Sequence, residues 1–103
     1  MKPIDLTPEN FRSEVLESAA AVLVDFWAPW CAPCRAFSPV IEEIASEASD
    51  FKVAKVNVED HPELAAAFKV MSIPTLILFK DGEPAARTVG APSRENVLAL
   101  LGR

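Results

Sequence analysis

The segment Val22-Leu23-Val24-Asp25-Phe26-Trp27 has a single polar side chain, Asp25, and constrains the fold more than any other stretch of the chain. A strand with one wet face alternates apolar and polar residues; a short run without that alternation reads as a strand buried on both faces. Thr75-Leu76-Ile77-Leu78-Phe79 has the same character, and Phe51 to Val58 reads as a third strand. Helical spacing lies between them. Phe37, Val40, Ile41, Ile44, Ala45 and Ala48 recur at helical intervals after Trp30-Cys31-Ala32-Pro33-Cys34, with Pro39 inside that helix as a source of a kink. Thr7-Pro8-Glu9-Asn10 is expected to open a helix to about Ser18, with Thr7 as N-cap and Phe11, Val15 and Leu16 facing inward. Asp60-His61-Pro62-Glu63 starts another helix, to about Phe68. Lys80-Asp81-Gly82-Glu83 is a hairpin turn into a strand near Arg87–Val89, and Ser93 caps a last helix with Val97, Leu98 and Leu101 inside. Strands alternating with helices, then a hairpin, predict an α/β fold with a mixed sheet covered on both sides.

A chain of 103 residues without internal repeat or linker is expected to be one domain, 1–103. Ten Lys and Arg against fifteen Asp and Glu leave a net charge of −5, which argues against nucleic acid as a partner. The longest aliphatic run, Ala19 to Val24, falls far short of the ~18–20 residues that span a bilayer, so no membrane association is expected. The first residues, Met1-Lys2-Pro3-Ile4-Asp5-Leu6, lack the apolar stretch of a secretory signal. Two cysteines are too few for a secreted disulfide framework, so a cytosolic location is expected, where a disulfide is transient and chemical.

Those cysteines, Cys31 and Cys34, fall between a buried strand and a helix. A spacing of three sets both thiols on one side of the first helical turn, close enough to bridge. Cys31 falls at the helix N-terminus, where unpaired N–H groups and the dipole favour a thiolate, the nucleophile of disulfide exchange. Cys34, one turn further in and more buried, suits a resolving thiol, and Pro33 stiffens the turn between them. Two other readings use the same residues. Half of a zinc site has this spacing, but only His61 is at hand to add to two cysteines where zinc takes about four ligands. Two inert core cysteines are the other.

Val24-Asp25-Phe26-Trp27-Ala28-Pro29-Trp30-Cys31-Ala32-Pro33-Cys34 closely resembles the active-site segment of thioredoxins. Pro39, Val53-Ala54-Lys55-Val56-Asn57-Val58, Ser72-Ile73-Pro74-Thr75, Phe79-Lys80-Asp81-Gly82 and Val89-Gly90-Ala91 match in the family's order and extend the resemblance over nearly the whole chain. It implies a central mixed sheet of five strands flanked by four helices. It also implies a protein-disulfide reductase, with a redox-active Cys31–Cys34 disulfide and no bound cofactor or metal. A separate thioredoxin reductase would reset it with electrons from NADPH through a flavin. This chain has no glycine-rich dinucleotide fingerprint of its own. Oxidised proteins are the implied substrates, and the chain is expected to act as a monomer. Two residues depart from the family pattern: Ala32 replaces the usual glycine, which leaves the redox poise open, and Arg35 stands where lysine is usual.

Asp25 is a lone carboxylate in an apolar strand, so burial should raise its pKa; the resemblance implies proton transfer at Cys34, and the alternative is a strand-end Asp reaching water. Lys55 on the adjacent strand is a candidate partner for Asp25, or an ordinary snorkelling lysine. Trp30 should be partly exposed beside Cys31, with Trp27 packing under the loop. Pro74 reads from the residues only as a turn before a strand; the resemblance implies a cis Ile73–Pro74 bond facing the cysteines and offering the Ile73 backbone to an extended substrate. Ala32 and Pro33 join that surface, and Gly90-Ala91 would complete its rim, a side chain at 90 crowding an approaching backbone. His61, between Asp60 and Pro62, reads as part of a solvent-exposed helix start. The rival from another class is an interaction module, gripping a partner with the same apolar rim while the thiols are incidental.

Overall fold

The computed structural model describes residues 2–103. Five strands form one sheet in the order β1-β3-β2-β4-β5: β1 (Ile4–Asp5), β2 (Ala21–Trp27), β3 (Phe51–Asn57), β4 (Thr75–Lys80) and β5 (Glu83–Val89). β1 and β2 run parallel to β3, and β4 runs antiparallel to both β2 and β5, so the sheet is mixed as expected. Three helices, α1 (Ala32–Glu47), α2 (Pro62–Ala67) and α3 (Arg94–Leu100), and one π-helical turn, Arg12–Leu16, make the four helical segments. No helix is long and apolar enough to cross a membrane among the described residues.

The period of two in β2 sorts its side chains between two cores. Val22, Val24 and Phe26 face one side with Ala54, Val56, Ile77 and Phe79, beneath Phe11, Val15 and Leu64. Leu23 faces the other with Val53, Leu76 and Leu78, beneath Phe37, Ile41 and Ile44 of α1 and Val97 of α3. Each Val, Leu, Ile or Phe among them, fully removed from water, contributes roughly 1.5–3 kcal/mol. Asp25 shares the Leu23 side by the same alternation, which puts a carboxylate under α1.

The first helix is much shorter than its spacing predicts. Thr7 and Asn10 exchange caps, Thr7 N–H donating to Asn10 Oδ1 at 2.7 Å and Asn10 N–H to Thr7 Oγ1 at 3.3 Å, and the helical bonds that follow are of the wide kind, Glu17 N–H to Arg12 O at 2.8 Å. This compact turn still buries Phe11 and Val15, but it leaves Leu16 exposed. The two-residue strand β1 has too little sequence to show a period. β5 begins at Glu83, well before Arg87, because Asp81 and Gly82, at φ 53° and 80°, alone make the reversal. Ser93 caps α3 as expected, its Oγ accepting from Asn96 N–H at 3.1 Å.

Candidate active site

The site grows from the end of β2. Ala28 O accepts from Cys31 N–H at 3.1 Å, which turns the chain upward and leaves Pro29 and Trp30 outside, Trp30 at 65% exposure. Cys31 is the N-cap of α1, with extended backbone, and Pro33 occupies the first turn where its missing N–H costs nothing. Cys34 N–H points back at Cys31 Sγ, 3.3 Å away, so an orphan helix donor is aimed at that sulfur. The two sulfurs are joined in a disulfide, with Cα atoms 5.2 Å apart. Their exposures are close, 5% for Cys31 and 3% for Cys34, so placement on the helix separates them and depth does not.

Two loops complete the surroundings. The Ile73–Pro74 bond is cis, Pro74 is buried, and Ile73 O lies 3.9 Å from Cys31 Sγ. Pro74 O in turn accepts from Gly90 N–H at 2.9 Å, which ties the Gly90-Ala91 loop to the same edge. At Gly90 a Cβ would meet nothing of this chain within 4 Å, and φ is +95°, where L side chains are strained, so the backbone conformation favours glycine here. Ala32, Pro33 and Ala91 are exposed. The structure also exposes Met71 at 92%, to which the sequence reading assigns no role, and Val89 at 61%, expected only as a strand end and as part of the Val89-Gly90-Ala91 match. Their signal was modest: large apolar residues at the flanks of Ile73-Pro74 and Gly90, outside any buried period.

Asp25 is 2% exposed and its Oδ1 has no hydrogen-bond partner among the described residues. Burial pushes its pKa up to about 7, against the opposing pull of the Lys55 charge. Lys55 is the register partner of Asp25 across β2 and β3, yet no ion pair joins them. Its ammonium lies 4.5 Å from the Trp27 ring centroid, a cation–π contact that satisfies the lysine without drawing it down to the carboxylate. Lys55 acts on Asp25 through its field. His61 is at the start of α2 but makes no capping bond with its side chain; its Nδ1 lies 3.7 Å from Glu63 Oε1, and the ring is only partly exposed. With Asp5, Trp27, Lys55 and Asp60 it lines a crevice of about 340 Å³ at the ends of the parallel strands. Among the described residues no three His, Cys, Asp or Glu side chains are grouped to hold a metal ion.

Comparison with known proteins agrees with this geometry. The thioredoxin family model matches residues 2–103. A thioredoxin of Mycobacterium tuberculosis is 54% identical over 99 residues, covering 95% of this chain and 85% of that protein. Thioredoxin 1 of Synechococcus elongatus is 53% identical over 99 residues, covering 95% and 92%. A protein of Mycobacterium leprae called bifunctional thioredoxin reductase/thioredoxin is 50% identical over 99 residues, covering 95% of this chain and 22% of its own length. With a cysteine pair in disulfide contact at a helix N-terminus beside a cis-proline, the chain belongs to the thioredoxin family of thiol–disulfide oxidoreductases.

Proposed function

We propose that the chain is a protein-disulfide reductase in which Cys31 attacks and Cys34 resolves. One observation carries this order: Cys31 is the N-cap of α1, with Cys34 N–H directed at its sulfur from 3.3 Å. A helix N-terminus favours an anion, so the thiolate is stabilised at Cys31 and not one turn further in. In the reduced protein the Cys31 thiolate attacks one sulfur of a substrate disulfide, forming a mixed disulfide and expelling the first substrate thiolate. The Cys34 thiol gives its proton to the Asp25 carboxylate, and the resulting thiolate attacks Cys31 Sγ. The second substrate thiolate leaves, the substrate has gained two electrons, and the Cys31–Cys34 bond holds the protein's loss. Asp25 suits the proton transfer because its pKa is near neutrality, where a general base and acid are equally available. Lys55 tunes it through space.

An extended substrate segment lies along the Ile73 backbone, against Trp30, Ala32, Pro33, Pro74, Gly90 and Ala91. Electrons return from NADPH through a separate flavoprotein, a thioredoxin reductase; the fused relative from Mycobacterium leprae supports that pairing. The chain works as a single-domain monomer in the cytoplasm. Trapping tests the order of attack. Cys34→Ser should accumulate covalent complexes with disulfide substrates through Cys31, while Cys31→Ser captures almost none. Equal capture by both variants would overturn the assignment. Reduction of insulin in the presence of reductase and NADPH separates a reductase from a module that only binds.

A further inference from the structure

The segments that frame the disulfide, residues 28–34, 71–74 and 89–93, contain no charged side chain, although 24% of the chain is charged. Of the four large hydrophobic residues exposed among the described residues, three stand on these segments: Trp30, Val89 and Met71. Met71 is the most exposed at 92%. It is two residues from Ile73, whose carbonyl lies 3.9 Å from Cys31 Sγ, so a chain pairing with the Ile73 backbone passes the start of the Met71 side chain. Arg35, the charge nearest in sequence to the cysteines, is engaged by the backbone, its Nη1 donating to Pro29 O at 2.9 Å. A flexible, polarisable thioether moulds itself to irregular apolar surface, and it offers an acidic or basic neighbour nothing.

We propose that Met71 is a specificity-determining contact for the exchange reaction, selecting disulfides that have apolar side chains beside the reacting sulfur over those flanked by charge. The inference rests on the reductase reading above and extends it to the class of substrate. Where the substrate presents a carboxylate or ammonium to the thioether, that group loses water without gaining a partner. Discrimination is therefore expressed in KM. Met71 has no titratable group and no thiol, so it takes no part in the proton and electron transfers, and kcat and the reduction potential do not depend on it.

The test uses two synthetic disulfide peptides identical except for the residues beside the cysteine, Leu and Val in one and Glu and Lys in the other. The wild-type chain should favour the apolar peptide by roughly five- to tenfold in kcat/KM. Met71→Glu should raise KM for the apolar peptide by a similar factor, with kcat and the Cys31/Cys34 potential unmoved. Met71→Leu should restore the preference. Peroxide treatment of the disulfide form, in which no thiol competes, oxidises the thioether to sulfoxide with reduction of peroxide to water, and should mimic Met71→Glu in part. A wild-type preference that survives unchanged in Met71→Glu would overturn the role of Met71 and leave the reductase reading intact. Failure of the wild-type chain to reduce either peptide would sink the reductase reading itself. A fall in kcat together with a shifted potential would assign Met71 to the framework of the site and not to substrate choice.

Discussion

At its N-terminal end helix α1 meets uncharged loops outside and a carboxylate inside; at its C-terminal end, about 24 Å away, the arrangement is inverted. There the interior is Ile44, Ala45 and Val53, while the charges stand on the surface in pairs. Arg94 of α3 reaches Glu43 at 2.7 Å and also Glu47 on α1, and Arg103 pairs with Asp50 at 2.5 Å while lying over the Phe51 ring. The far end follows the ordinary rule that charge stays in water and apolar surface leaves it. The site end breaks both halves of the rule. Apolar surface left in water is available to a partner, and a carboxylate kept from water holds a proton near neutral pH. One helix thus joins a region organised for stability to a region where stability has been given up for chemistry.

The largest effect that can test this contrast belongs to Asp25. Its folded-state pKa is raised from 3.8 to about 7, so between those values the folded chain holds a proton that the unfolded chain has released. Stability therefore falls as pH rises through that window, and above pH 7 the full cost, on the order of 4 kcal/mol, is present. Asp25→Asn removes the charge. In urea titrations of the disulfide form, the variant should match the wild type near pH 4 and exceed it by about 2–4 kcal/mol at pH 8, less than the whole because the amide has hydrogen bonds of its own to satisfy. Turnover near neutral pH should slow at the same time. An equal offset at every pH would mean that Asp25 does not titrate in this window, and the contrast between the two ends would lose its interior half.

How much of this contrast could be read from residues alone differs between its parts. Burial of Asp25 was legible because β2 shows no wet face, and the position of Cys31 was legible because a helical period begins just beyond it. The partner of Lys55 was not. Strand register sets Lys55 beside Asp25, but the aromatic face of Trp27 competes for the ammonium, and only three-dimensional placement decides between them. The same holds for Gly82, where a Cβ would come within 2.4 Å of Leu16 O: that constraint comes from a segment far away in sequence. The opening helix failed for a local reason. Helical spacing of Phe11 and Val15 is equally served by a single wide turn, and the mutual caps of Thr7 and Asn10 delay its start. The cis bond before Pro74 came only from the family resemblance, since an X-Pro pair is cis in about 5–6% of folded cases.

A smaller effect is expected at Ala32, the departure from the family pattern inside the active-site loop. It is the first residue of α1 and is exposed, so its methyl group supports the site through backbone preference and not through packing. Alanine exceeds glycine by about 1 kcal/mol in a helix interior, and by less at an end. If the helix start is the same in the dithiol and disulfide forms, most of that difference cancels. Ala32→Gly should then move the Cys31/Cys34 potential by no more than ~20 mV, taking ~30 mV as 1.4 kcal/mol for two electrons. Equilibration against a dithiol buffer of known poise measures it. A shift beyond roughly 40 mV would show that residue 32 acts on the thiolate directly, through N–H geometry or access of water.

The smallest effect should come from the far end, although its ion pairs look the more substantial on inspection. Arg94→Gln removes contacts to both Glu43 and Glu47 and with them the charged link between α3 and α1. Yet all three groups keep contact with solvent, where screening and the entropy of long side chains consume most of the Coulomb attraction. Val97, fully buried beneath the same helix pair, holds α3 in place without help from Arg94. The variant should lose little stability in low salt and still less at 1 M, where the Debye length is about 3 Å. The benefit of Asp25→Asn at pH 8 should survive the same salt almost unchanged, because ions do not enter the space around a buried carboxylate. Urea titrations of both variants at two salt concentrations therefore measure the contrast directly. If added salt erased the Asp25 effect as readily as the Arg94 effect, the carboxylate would have to be reached by solvent, and the two ends of α1 would not differ in kind.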